Sequence, residues 1–164
     1  FQDGPMFRST QLVACGLILL LACSPEERIK IARLNPERLI RNPAFTQAIS
    51  VEGPHRTVYV GGQNAVDAEG NIVGKGDIAQ QSETASRNLT VALEAAGATL
   101  DHVVKMNVYV VQGQNARAGF EGSRRVWGDT PRPPTVSVIY VASLAHPDFL
   151  VEFDAIAVVP LDSK

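Results

Sequence analysis

The sequence predicts an α+β domain in which two helices pack on one face of a sheet, in the order β-β-α-β-α-β-β. Three observations carry this reading. Runs of β-branched and aromatic residues, bounded by Gly, Pro and Asp, mark strands at 45–51, 56–62, 103–111, 136–142 and 150–158. Two segments with helical spacing, DIAQQSETASRNLTVALEAAG and AGFEGSRRVWG, interrupt those strands. A chain of 164 residues, 45% hydrophobic and 20% charged, is sized for one domain with a full core.

In chain order, FQDGP at 1–5 precedes the first Met and is expected to be a protease-site and cloning remnant. Residues 6–23, MFRSTQLVACGLILLLAC, combine Arg8, an apolar run from Leu12 to Leu21, and Ala22 before Cys23. The run is too short to cross a bilayer, which takes about 20 residues. Leu20-Leu21-Ala22-Cys23 resembles a bacterial lipobox, which implies lipidation at Cys23 and export. The alternatives are an N-terminal helix or translation from a misplaced start. Cys15 and Cys23 both fall here, leaving the rest without a disulfide or thiol nucleophile. Residues 24–39 read as a polar linker and 40–160 as the domain.

FTQAISV and RTVYVGG are expected to form a β-hairpin about the Gly53-Pro54 turn. In the first helix Asp77 can cap, Gln80 sits where a capping box wants an amide, and Gly97 supplies a left-handed stop. Its apolar stripe, Ile78, Ala85, Leu89, Ala92, Leu93 and Ala96, needs a sheet to pack on. Met106, Val108 and Val110 share one face of the third strand. The second helix is weaker, since Gly119 and Gly122 each cost it about 1 kcal/mol. On its surface Arg125 is expected beside Glu121.

The last strand, FLVEFDAIAVVP, poses the functional question. Alternation places Phe149, Val151, Phe153, Ala155 and Ala157 on one side, and Glu152 and Asp154 on the other with Leu150, Ile156 and Val158. Two acids on so apolar a strand form either a solvated sheet face or a site. The helices cover one sheet face only, so an apolar second face points to self-association. Formal charge of −2 gives no general attraction to nucleic acid. His55, His102 and His146 lack ligand spacing, and no metal site, P-loop, GxGxxG or GxSxG is present.

The succession VYVGGQ, D-x-x-G, GDIAQQ, RNLTVALEAAGATLDHVVKMNVYV, RPPTVSVIYVASL and VEFDAIAVV resembles the Rid family over roughly residues 40 to 160. These reactive intermediate deaminases are also called YjgF-like or endoribonuclease L-PSP proteins. The resemblance implies a chorismate-mutase-like fold, a homotrimer and small-molecule clefts between subunits. It also implies hydrolysis of enamines and imines, with an arginine clamping the substrate carboxylate and a glutamate positioning water. Glu152 matches that glutamate, and Asp154 is read as structural. Val136 stands at the arginine position, and Arg132 lies in the preceding proline-rich turn. Phe45, Gly61, Phe120 (or Gly119) and Val138 also depart from the family residues, whereas Gly62 is kept.

The expected function is therefore enamine or imine hydrolysis on a small, less anionic substrate. Glu152 would be the acid/base group, Gly61 and Gly62 substrate contacts, and Phe45, Phe120, Val136, Val138 and Tyr140 an apolar wall. A non-catalytic trimeric ligand-binding or scaffold protein is the alternative, and an endoribonuclease a minor one. Expected partners are a small-molecule ligand and two further copies of the chain, with no cofactor, no nucleic acid, and a membrane only through a lipid anchor. Location would be periplasmic or membrane-anchored if the signal operates, and otherwise cytoplasmic as in most of the family.

Overall fold

The computed structural model describes residues 28–129 and 132–161. The remnant at 1–5 and the lipobox-like segment with Cys23 lie outside these residues. Among the described residues there are six strands: β1 Lys30–Leu34, β2 Ala48–Glu52, β3 His55–Gln63, β4 Val103–Val111, β5 Thr135–Val141 and β6 Val151–Pro160. The helices are α1 Ile78–Ala95 and α2 Ala116–Trp127. The architecture is α+β, with a mixed four-stranded sheet in the order β3-β6-β4-β5. Among the described residues no helix is long and apolar enough to cross a membrane.

The expected hairpin is corrected. β2 pairs antiparallel with β1, Ile31 opposite Val51 and Arg33 opposite Ile49, in a sheet of its own. β3 pairs instead with β6, Val58 opposite Ala157 and Val60 opposite Ala155. β1 itself falls inside the stretch read as a linker. KIARL mixes charged and apolar residues on both faces, and its burial rises only to intermediate in the middle, so no two-residue alternation marks it as a strand. The partner choice follows burial, because β6 offers β3 a continuous apolar face that β2 lacks.

That face is the core. Leu89 and Leu93 of α1 are fully buried against Val58, Val60, Ala155 and Ala157. A second cluster joins Ile78 and Ala85 of α1 to Val110, Val151 and Phe153. Asp77 caps α1 by accepting from the Ala79 and Gln80 amides, and Gly97, at φ +64°, ends it. Gln80 does not close a capping box, because the Asp77 amide donates to the Gly74 carbonyl at 3.0 Å. Fully buried Gln81 ties the helix to the chain entering β6. It donates to the Asp148 carbonyl at 2.7 Å and accepts from the Leu150 amide at 2.9 Å.

α2 packs on α1, and its glycines explain how. A Cβ at Gly122 would lie 2.8 Å from the Ala79 carbonyl carbon, and one at Gly119 would lie 3.0 Å from Ser82 Oγ. These residues weaken α2 as a helix and in return let two backbones approach. Glu83 of α1 fastens the pair, bonding Arg125 at 2.9 Å and Arg87 at 2.8 Å, and both bonds hold its carboxyl below the usual range. Glu121 pairs with Arg117, not with Arg125 as expected.

The sheet face turned away from the helices is more polar than expected. Lys105 donates to Ser137 at 2.6 Å, and Asn107 and Tyr109 both donate to Asp154 at 2.9 Å. Apolar groups, Tyr59 at 78% exposure and Ile139 at 38%, fringe this network.

The helix contact yields a stability prediction. Gly122→Ala should lower the urea unfolding free energy by about 1–3 kcal/mol, the usual range for overpacking, despite the better helix propensity of alanine. Gly119→Ala, meeting only side-chain atoms at 3.0 Å or more, should lose less. Equal urea midpoints for Gly122→Ala and the parent protein would show that the helices separate freely.

Candidate functional site

Glu152 and Asp154 share the open face of β6, but their surroundings separate their roles. Asp154 stands opposite Asn107 in the β4–β6 ladder, and both its oxygens are occupied. Oδ1 accepts from Asn107 Nδ2 and Oδ2 from Tyr109 O–H. The Asp154 hydrogen bond, then partial desolvation, then the Asp154 and Glu152 charges push the Tyr109 phenol above its ordinary pKa. Tyr109 is therefore a held proton donor to Asp154. This is a structural network.

Glu152 faces a different neighbour. Between Val60, opposite Ala155, and Gln63, opposite Phe153, the β3–β6 register shifts. Gly61 and Gly62 thus form a bulge, which bends the strand and re-aims what lies beside it. The Glu152 carboxylate fills the space where a Gly62 side chain would stand, with the carboxyl carbon 2.6 Å from an ideal Cβ position. A Cβ there would have to displace the carboxylate. A Cβ at Gly61 would meet nothing within 4 Å, so the bulge is open on that side.

Asn64 completes the support. Its amide Nδ2 donates to Glu152 Oε2 at 3.1 Å and to the Val151 carbonyl at 3.3 Å. Asn88 of α1 in turn donates to the Asn64 and Val66 carbonyls, both at 2.8 Å, anchoring the loop that carries Asn64. The Asn64 bond leaves Oε1 for another donor. A half-buried carboxylate with one oxygen braced and one available can bind and activate a water.

The expected apolar wall lies elsewhere. Met106 pairs with Val136, Val108 with Val138 and Tyr109 with Ile139 in the parallel β4–β5 ladder. Tyr109 also opposes Glu152, and Val108 opposes Phe153. Val136 and Val138 therefore point to the helix side of the sheet, opposite Glu152. There, with Phe45 and Phe120, they line a cavity of about 760 Å³ between α2 and the β4–β5 half of the sheet. Phe45 is held at its edge because Thr46 N–H and Oγ1–H donate to the Pro134 and Pro133 carbonyls, at 2.8 and 2.7 Å. Tyr140 shares the parity of Val136 and Val138 on β5 but is 54% exposed and does not line the cavity.

One chain thus brings together Glu152, Gly61 and Gly62 on one side of the sheet, and Phe45, Phe120, Val136 and Val138 on the other. The expected single cleft is divided between two faces. Arg132 pairs with Asp101 at 3.4 Å and is not among the residues lining the cavity. The reading of the sequence missed Asn64, Asn88, Ser82, Trp127 and Arg124. Asn64 follows the Gly-Gly bulge, and Ser82 interrupts the apolar stripe of α1. Both signals were present. Arg124 lines the cavity and is ion-paired with Asp129, which lines it too. Among the described residues no group of His, Cys, Asp or Glu could hold a metal ion.

Comparison with known proteins places this arrangement. The Endoribonuclease L-PSP family matches residues 38–159. A RutC family protein of Pyrococcus abyssi is 34% identical over 113 residues, covering 69% of this chain and 84% of that protein. The 2-iminobutanoate/2-iminopropanoate deaminase of Dermatophagoides farinae is 31% identical over 84 residues, covering 47% of this chain and 63% of that protein. The solved structure of YyfB from Yersinia pestis, of the Rid protein family, superposes with a TM-score of 0.67 at 32% identity, over 77% of this chain and 97% of that one. The matched span takes in the Gly61-Gly62 bulge, both helices and the strand bearing Glu152, and the chain belongs to the Rid family, also called YjgF-like or endoribonuclease L-PSP proteins.

Proposed function

We propose that the protein hydrolyses a small enamine or imine, and that each active site is completed by a second copy of the chain within a homotrimer. The observation that carries this is the state of Glu152: braced by Asn64, seated against Gly62, and with Oε1 available to a water. In the proposed step Oε1 takes a proton from water as its oxygen attacks the C=N carbon. The same carboxyl then delivers that proton to nitrogen. In the resulting carbinolamine the carboxylate takes the hydroxyl proton and passes it to the amino nitrogen as the C–N bond breaks, so that ammonia leaves and a carbonyl product remains.

The division between sheet faces favours a shared site. Glu152 cannot meet Val136 and Val138 through its own sheet, whereas a neighbouring chain can present its cavity to it. The exposed Tyr59 and Ile139 beside the polar network supply apolar contact for such a neighbour. A homotrimer closes this head-to-tail arrangement as a ring. The relatives named 2-iminobutanoate/2-iminopropanoate deaminase support the reaction class. Val136 argues for a substrate less anionic than theirs, because a valine offers a carboxylate no charged hydrogen bond.

Val136 also favours a second reading, a ligand-binding protein without turnover. A panel of imines and enamines generated in situ separates the two. Glu152→Gln should keep the assembly and lower hydrolysis by about 10²-fold or more, the usual contribution of a general acid/base. Asn64→Ala should reduce kcat more than KM, because it frees the carboxylate without removing it. Full activity in Glu152→Gln would end the assignment, and retained ligand without turnover in the parent protein would favour the binding protein.

The shared site makes a separate prediction. Sedimentation equilibrium should give a trimer. Glu152→Gln and the cavity-blocking Val138→Trp should each be inactive alone. Unfolded together in equal amounts and refolded, they should recover about a quarter of parental activity, because one interface in four then pairs an intact acid with an intact cavity. A monomer, or no recovery in mixed trimers, would place the whole site in one chain.

A further inference from the structure

A second pocket, of about 350 Å³, lies where distant segments of the chain converge. β1 contributes Ile31 and Arg33, two residues apart and so on one face of the strand, and Ile29 continues that face. The 3₁₀ turn Leu100–His102 contributes Asp101 and His102, and the proline-rich turn before β5 contributes Arg132. None of these residues lines the cavity beneath α2.

Arg33 is the feature that packing alone does not explain. Its Nε is buried without a hydrogen-bond partner. Its two terminal nitrogens also make no hydrogen bond among the described residues, but they are not closed off as Nε is, so they are the part of the guanidinium left to the pocket. Burial, and then the neighbouring Arg132 charge, press the Arg33 pKa below its ordinary value, while Asp101 pulls it up. Arginine nonetheless keeps its proton in a protein, so the two cations go on repelling each other. The nearby carboxylate is committed elsewhere, since Asp101 pairs with Arg132 at 3.4 Å.

The remaining lining defines the rest of the ligand. His102 Nδ1 accepts from the Thr99 amide at 3.0 Å, which leaves Nε2–H as the donor of the ring. Ile29, Ile31 and Pro160 supply an apolar wall. The volume stands near the lower end of small-molecule pockets, roughly 300–1,000 Å³, and suits a compact ligand. One guanidinium without an ion pair matches one negative charge, and its planar fork matches a carboxylate.

We propose that this pocket binds a small organic monocarboxylate, its head on the Arg33 guanidinium and its apolar body against Ile29, Ile31 and Pro160. The site is separate from the proposed hydrolytic one and stands whether or not the protein turns over an imine.

Calorimetric titration of the intact protein with benzoate and benzamide, at physiological ionic strength, tests this. Benzoate should bind saturably at one site per chain. Benzamide has the same shape without the charge and should bind at least about tenfold more weakly, the loss of a charged hydrogen bond. Arg33→Gln should weaken benzoate by about tenfold or more at an unchanged melting temperature, because the side chain it removes has no hydrogen-bond partner to lose. Asp101→Asn should tighten benzoate by about two- to fivefold, because a repelling charge is gone. Arg117→Gln, an exposed arginine of α2, and the cavity-blocking Val138→Trp should both bind benzoate as the parent does. Equal affinity for benzamide overturns the proposal, as does an unaltered benzoate affinity in Arg33→Gln or a weaker one in Asp101→Asn. So does a loss in Arg117→Gln, which would mean diffuse charge, a loss in Val138→Trp, which would mean the cavity, or the absence of saturable binding.

Discussion

The burial of one face of β6 against α1 is the constraint on which the rest of the molecule depends. Val151, Phe153, Ala155 and Ala157 are each at most 3% exposed, and Leu89 and Leu93 of α1 are fully buried with them. β6 lies between β3 and β4, so both neighbours must register on it. Because strand side chains alternate, fixing these four residues inward sends Glu152 and Asp154 outward. The same packing that holds the domain together therefore presents the acids.

Their different roles come from cross-strand neighbours. Asp154 sits in the sheet interior beside Asn107 and Tyr109, which occupy both its oxygens. Glu152 sits beside the bulge, where β3 provides two glycines in place of side chains. A bulge without a Cβ leaves room for a carboxylate. Asn64 then limits how far that carboxylate can move, and α1 limits Asn64 through Asn88. The helix that organises the core also organises the acid, through one loop.

The α1–α2 contact sets the other half of the site. Gly119 and Gly122 draw α2 onto α1, while the β4–β5 half of the sheet remains separated from α2 by the cavity. Arg125 and Glu83 hold this position from the solvent side. β5, an edge strand in the single chain, leaves Val138 55% exposed at the same place. Acid and cavity are consequently properties of opposite faces of one sheet, which is why a second copy of the chain suits the proposed chemistry.

Much of this was legible locally. The two-residue alternation of β6, the apolar stripe of α1, its Asp77 cap and its Gly97 stop are all short-range patterns, and short-range sterics decide them. The family could be read from the same segments, because its motifs are contiguous. What required the tertiary structure was every relation between distant segments. β2 chose β1 over β3, and Val136 fell on the face opposite Glu152, because register passes from strand to strand through β4 and is set by pairing across the sheet. Gly119 and Gly122 looked like weaknesses of one helix until a second backbone was found against them. Asn64 carries no motif; its hydrogen bond to Glu152 gives it meaning. By itself the sequence determined both helices, the acid-bearing strand and the family, but not β1, which lies in the stretch read as a linker. Only folding decided which residues share a face, since side-chain meeting depends on long-range register and packing that no local pattern encodes.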